Sequence, residues 1–178
     1  VQEDILDTEQ RPKAEDYGDY IFIVLKMLRF DPIGGGVIVE QVSLILGSSY
    51  VISFQEGFEG DVFEGVRRRI RSGAGRIRVE GADYLAYALV DAIVDNYFVV
   101  LDRYLDAVEK LRAEIVDQPA TDMAQKIFGL EGEVMEIRHT VWPLIEALGS
   151  LRKDKTHLIK RNTDKYLRDV NDHVLRVI

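Results

Sequence analysis

From Leu85 to Ile115 an apolar residue returns every fourth or third position: Leu85, Leu89, Ile93, Tyr97, Leu101, Tyr104, Val108, Leu111 and Ile115. That period marks one face of a helix, and its extent predicts a single helix of roughly 35 residues, about 50 Å long. Val90, Val94 and Phe98 widen the apolar stripe of the first half. That half must be buried on more than one side, whereas the second half projects. Asp117-Gln118-Pro119 breaks the pattern. It resumes near Thr121-Asp122 through Met123, Ile127, Leu130, Val134, Ile137, Val141, Leu144, Leu148 and Leu151. Two such helices joined by a short break run antiparallel, seam to seam. Pro143 falls inside the second run and should kink it, because proline lacks an N–H and crowds the preceding turn.

Upstream, the pattern is that of strands. Residues 20–27 are nearly continuous in β-branched, aromatic and aliphatic side chains, which predicts a strand buried on both faces. The Gly34-Gly35-Gly36 turn leads to a second strand at 37–46, and Gly47-Ser48-Ser49 leads to a third at 50–54. Connections this short predict an antiparallel meander. Ahead of them, Glu3-Asp4-Ile5-Leu6-Asp7 predicts one helical turn, followed by the irregular Gln10-Arg11-Pro12-Lys13. A short helix opens near Asp61, which is placed to cap it, carries Phe63, Val66 and Ile70, and ends at Ser72-Gly73. Residues 75–81 form a loop or short strand. After a polar linker that includes Arg152-Lys153-Asp154-Lys155, a last helix starts near Thr163 and keeps its period to Ile178. The fold class is α/β (α+β): a small antiparallel or mixed sheet packed with helices, plus a long antiparallel helical hairpin.

Charge narrows the partners. Asp and Glu total 31 against 23 Lys and Arg, a formal charge of -8, which repels nucleic acid and anionic lipid and favours cations or basic partners. The absence of cysteine excludes a disulfide scaffold, an iron–sulfur cluster and a thiolate zinc site. No run reaches the ~18–20 consecutive apolar residues of a bilayer span. The start, Val1-Gln2-Glu3-Asp4, has neither Met nor a signal core, and no cap closes the last helix. The chain therefore reads as an excised piece of a longer protein.

The candidate chemistries thin out quickly. The glycine triplet precedes a strand rather than a helix, so it is read as a hairpin loop and not a phosphate cradle. Arg67, Arg68, Arg69, Arg71, Arg76 and Arg78 lack interleaved aromatics for base stacking; their expected partners are neighbouring carboxylates. His139, His157 and His173 are too scattered in sequence for a zinc motif. No Gly-x-Ser-x-Gly elbow exists and no catalytic residue is assigned, so the chain is not read as an enzyme. The carboxylates remain. Asp102, Asp106 and Glu109 fall on the projecting half and read as solvated. Asp91 and Asp95 lie in the broadly apolar half, where an unpaired charge is costly. An arginine or a hard cation must neutralise them.

Taken together, several segments carry a resemblance: Asp4-Ile5-Leu6-Asp7, Gln10-Arg11-Pro12-Lys13, the strand at 20–27, Glu40-Gln41-Val42-Ser43-Leu44, Gly60-Asp61-Val62-Phe63, Ala82-Asp83-Tyr84-Leu85, Trp142-Pro143-Leu144, and Arg168-Asp169-Val170 with Asp172-His173. In this order they resemble the cytosolic domain of the CorA-type magnesium and cobalt transport proteins. The resemblance implies the C-terminal part of the α/β cytosolic domain at 1–81, the hairpin at 82–152, and a linker with the start of a stalk helix at 153–178. It implies a homopentamer at the cytoplasmic face of the inner membrane, anchored through transmembrane helices beyond Ile178, with this piece itself soluble. It further implies that Mg²⁺, or Co²⁺, binds between neighbouring cytosolic domains and holds the pore shut. The matching positions are Glu3, Asp4, Asp91 and Asp169. Two alternatives stay open: a zinc-transporting relative of the family, and a coiled-coil adaptor whose hairpin docks a partner.

Overall fold

A computed structural model describes residues 1–31, 36–58, 60–117, 123–153 and 156–178. The helix break at 118–119 and most of the glycine turn lie outside the described residues. Helix α1 (Gln2–Leu6) precedes four strands, β1 (Lys13–Asp16), β2 (Tyr20–Phe30), β3 (Val37–Gly47) and β4 (Val51–Gln55). They form one antiparallel sheet in the order β1-β2-β3-β4. The three expected strands are present and pair as a meander. β1 was not expected, because Lys-Ala-Glu-Asp has one apolar residue and no strand period; pairing with β2 at Val24 to Ile21 imposes it.

Alternation decides the faces. Ile21, Ile23, Leu25 and Met27 of β2 share one face with Val42, Leu44 and Leu46 of β3, and all are buried. Phe22 and Val24 are buried on the other face, as the continuous apolar run predicted. The first face is covered by α3 (Ala82–Asp117), a helix of 36 residues, through Val90, Ile93, Val94 and Tyr97. Among the described residues, α3 is the one helix with the length and hydropathy of a bilayer span, at a mean hydropathy of 1.5. A search for unbroken apolar runs misses this, because Asp91 and Asp95 interrupt it. Within α3, Ala86, Val90, Ile93, Val94 and Tyr97 are buried in the core with the sheet and the last helix, whereas Val99 is exposed.

The hairpin is completed by α4 (Met123–Val141) and α5 (Pro143–Lys153), so Pro143 splits the second run at Trp142. The Tyr104 hydroxyl donates to Glu133 Oε2 at 2.8 Å, and Lys126 pairs with Glu114 at 3.2 Å. One number rises as the other falls, so the helices are antiparallel. Asp102, Asp106 and Glu109 are exposed. Arg152 and Lys153 belong to α5 rather than to a linker. Helix α6 (Arg161–Val177) lies against α3 and buries Leu167, Val170 and Val174.

Helix α2 (Glu64–Ser72) corrects the reading of Asp61. The residue before the helix is Phe63, with no side-chain cap; Asp61 Oδ1 accepts instead from Phe63 N–H at 2.9 Å and from Arg67 Nη1 at 2.7 Å. Gly73, at φ 67°, ends the helix in the left-handed region as expected. Arg67 holds the Asp61 carboxyl below its ordinary range. The pair therefore stabilises the fold above the unfolded carboxylate pKa, and that increment is lost as pH falls through the depressed folded value. Asp61→Asn is expected to cost about 1 kcal/mol at neutral pH, the partial exposure of Arg67 limiting the effect. Thermal melts at pH 7 and pH 3 check this: the gap between variant and parent should narrow in acid.

Candidate metal centre

Asp91 and Asp95 lie one turn apart on α3, so both carboxylates project from one side of the helix. Directly opposite, α6 presents His173. The three side chains offer ligand atoms that all lie within 4.8 Å of one another. His173 Nδ1 is 3.8 Å from Asp95 Oδ1, and the Tyr87 hydroxyl donates to Asp91 Oδ2 at 3.1 Å. His173 Nδ1 is buried and has no hydrogen-bond partner. Burial, and then the neighbouring Asp95, push the Asp91 carboxyl above its ordinary value. Ionised, the partly buried Asp91 and the exposed Asp95 repel each other.

A cation removes that repulsion, and the donor set fits one. Two carboxylates suit Mg²⁺, while an imidazole adds affinity for Co²⁺ and Zn²⁺. An octahedral Mg²⁺ spans ~4.2 Å between opposite ligands. Contacts at up to 4.8 Å therefore close on an ion with a small inward shift, or through retained waters.

Around the centre, α3 and α6 are locked together. The Tyr87 and Tyr166 rings stack at 5.0 Å and 27°, and Tyr84 meets Tyr166 edge-on at 5.5 Å. Arg76 Nη1 donates to the Tyr166 hydroxyl at 2.6 Å. At the foot of α3, Asp83 Oδ2 accepts from Lys160 N–H at 3.0 Å and from the Thr163 hydroxyl at 2.6 Å. Beside Asp91 and Asp95, a cleft of about 490 Å³ opens between α3 and α2, with Arg68 and Arg69 on its far wall. A larger cleft of about 1020 Å³, near Lys26 and Trp142, lies elsewhere. Its Lys26 ammonium is already held by Thr8 O at 2.6 Å and Gln41 Oε1 at 3.2 Å.

Of the four positions matched through the resemblance, only Asp91 belongs to this cluster; Asp95, singled out beside it from the apolar stripe, joins it. Glu3 is exposed on α1. Asp4 pairs with Lys13 at 3.0 Å and accepts from Gln10 at 3.1 Å. Asp169 is exposed on α6, one turn before His173. In sequence His173 is one of three scattered histidines; folding brings it to Asp95 across 78 positions, a separation no local motif records.

Over residues 1–178 the chain matches the family described as CorA-like Mg2+ transporter protein. The chain belongs to the CorA family. It is 46 % identical over 177 residues to the cobalt/magnesium transport protein CorA of Thermotoga maritima, with 99 % of this chain and 50 % of that protein covered. The soluble domain of CorA from Methanocaldococcus jannaschii has the same fold, with a TM-score of 0.83 at 15 % identity over 100 % of this chain and 71 % of that one. The cytoplasmic domain of ZntB from Vibrio parahaemolyticus shares it too, at 0.78 and 12 % identity over 98 % and 68 %. At such identities these two speak to fold alone. The chain spans about half the length of the curated relatives it matches.

Proposed function

We propose that this CorA-family chain is the cytosolic regulatory domain of a Mg²⁺/Co²⁺ channel, and that Asp91, Asp95 and His173 bind the regulating cation. The observation that carries the reading is the convergence of two carboxylates and an orphaned imidazole nitrogen between two helices. Its role is non-enzymatic. A bound ion ties α3 to α6, and its loss returns the Asp91–Asp95 repulsion. The ion biases the closed pore only by its difference in affinity between the two states.

In a homopentamer of the full-length protein at the cytoplasmic face of the membrane, a neighbouring copy would add ligands. Asp169 suits this role, being exposed and one turn from His173. Glu3 is equally free to reach a neighbour. Asp4 is a lesser candidate, since Lys13 already compensates it. The imidazole favours a second reading of selectivity, towards Co²⁺ or Zn²⁺.

Calorimetric titration with Mg²⁺, Co²⁺ and Zn²⁺ tests both. Asp91→Asn is expected to weaken all three ions by about tenfold or more, and His173→Ala to weaken Co²⁺ and Zn²⁺ more than Mg²⁺. Parent-like binding by Asp91→Asn would remove the site. An unchanged order of ions in His173→Ala would remove the imidazole from the ligand set.

A further inference from the structure

We propose that Arg69 is a built-in counter-cation of the metal centre, holding its divalent affinity down from across the α2–α3 cleft. The inference rests on the site proposed above and concerns what tunes it.

The arginine run of α2 and its following turn is otherwise committed. Arg67 is taken by Asp61 and Arg71 by Glu64 at 3.0 Å. Arg78 Nε donates to Ile70 O at 2.6 Å, which serves the carbonyl end of α2, and Arg76 donates to Tyr166. Arg68 and Arg69 have no such hydrogen bond or ion pair among the described residues. They line the cleft of about 490 Å³ whose opposite wall carries Asp91, Asp95 and Asn96. The helix that presents them is fixed, with Phe63 and Val66 buried, Arg67 tied to Asp61, and Gly73 ending it. Their placement is therefore a property of the fold and not of a wandering loop.

The two are not equivalent. Arg69 is partly buried whereas Arg68 is exposed. Without an ion, Arg69 partly offsets the aspartate charges from a distance too long for a salt bridge. With a dication bound, the same guanidinium becomes a like charge and repels it. The effect works through space, so it should fall with salt and be retained by any cationic side chain of similar reach. A sensor that must release its ion benefits, because a site with two carboxylates and no opposing charge binds more tightly.

The test is calorimetric titration of MgCl₂ and CoCl₂ into the chain and into Arg69→Gln, Arg69→Lys, Arg68→Gln and Asp91→Asn, with ion-free melting temperatures alongside. Arg69→Gln is expected to bind both ions roughly three- to thirtyfold more tightly at low salt, the gain shrinking at high salt. Arg69→Lys should stay near the parent, Arg68→Gln should gain less, and the ion-free melting temperatures should barely move. Equal or weaker binding by Arg69→Gln, while Asp91→Asn still loses the ion, overturns the role of Arg69 and leaves the site standing. Parent-like binding by Asp91→Asn overturns the site and this inference with it. Should Arg69→Gln melt early, Arg69→Lys with parent affinity and Arg69→Met with raised affinity would carry the proposal, and any other order would end it.

Discussion

Asp83→Ala is expected to lower the unfolding free energy by ~2–4 kcal/mol and to loosen α6 from α3. The Asp83 side chain is only 2 % exposed, so its charge must be met inside the protein. Oδ2 takes the Lys160 N–H and the Thr163 hydroxyl together. Lys160 precedes the first turn of α6 and supplies no side-chain cap of its own. Asp83 is therefore the cap of α6, donated from a residue 77 positions away. It also occupies the first turn of α3, where the helix dipole favours a carboxylate. Alanine removes all of this and leaves the buried Thr163 hydroxyl without its acceptor. The Lys160 ammonium, 4.0 Å from Oδ1 and largely exposed, adds little.

Urea unfolding measures the cost, and Asp83→Asn separates its parts. Asparagine keeps one oxygen acceptor and should lose clearly less than alanine. In a cycle with Thr163→Val, the coupling is expected at ~1–2 kcal/mol. A cost below ~0.5 kcal/mol for Asp83→Ala would show that α6 is held by apolar packing alone. Because α6 carries His173, the same variant should also weaken Co²⁺ binding, although Asp83 touches no ligand.

This latch shows where sequence reading ends. The elements with strong periods were legible: α3 almost to its residue bounds, β2 and β3 from their apolar density, and the break at Pro143 from the chemistry of proline. β1 was hidden because its residues have no strand preference and are paired by β2. Arg152 and Lys153 look like a linker, yet a polar residue at the end of a helix costs little, and α5 runs through them. Of the candidate metal centre, the partial burial of Asp91 followed from its place in the apolar half of α3, whereas Asp95, expected to be buried with it, is exposed. The identity of the neutralising groups did not follow, because helical period tells which face of α6 is buried but not which helix it is buried against. His173, Arg69 and Asp83 all owe their roles to such long-range docking.

Tyr97→Ala is expected to have the largest effect of any single change, ~3–5 kcal/mol. Tyr97 is fully buried where α3 crosses β2, among Leu25, Met27 and Val42. Its hydroxyl donates to the Lys26 carbonyl, for a reason set by the sheet. β1 pairs with β2 only from Ile21 to Val24, so beyond it the edge of β2 has no strand beside it. Residues 26 and 28 point their carbonyls to the same side. Tyr97 takes the first, and the Asn96 side-chain amide takes the second. Thus α3 completes the strand edge at the residues immediately after Asp95, which fixes Asp91 and Asp95 relative to the sheet. Tyr97→Phe keeps the ring and removes only the donor, so it should cost ~1–2 kcal/mol; denaturant unfolding of both variants separates packing from the hydrogen bond. The pH profile gives an independent check. Burial raises the Tyr97 phenol far above its ordinary value, so its stabilisation is complete below the unfolded tyrosine pKa of ~10 and is lost as pH climbs towards the folded value. Tyr97→Phe should therefore lose less stability between pH 9 and 11 than the parent does. Equal losses would mean that the Tyr97 phenol is not withdrawn from water in the folded protein.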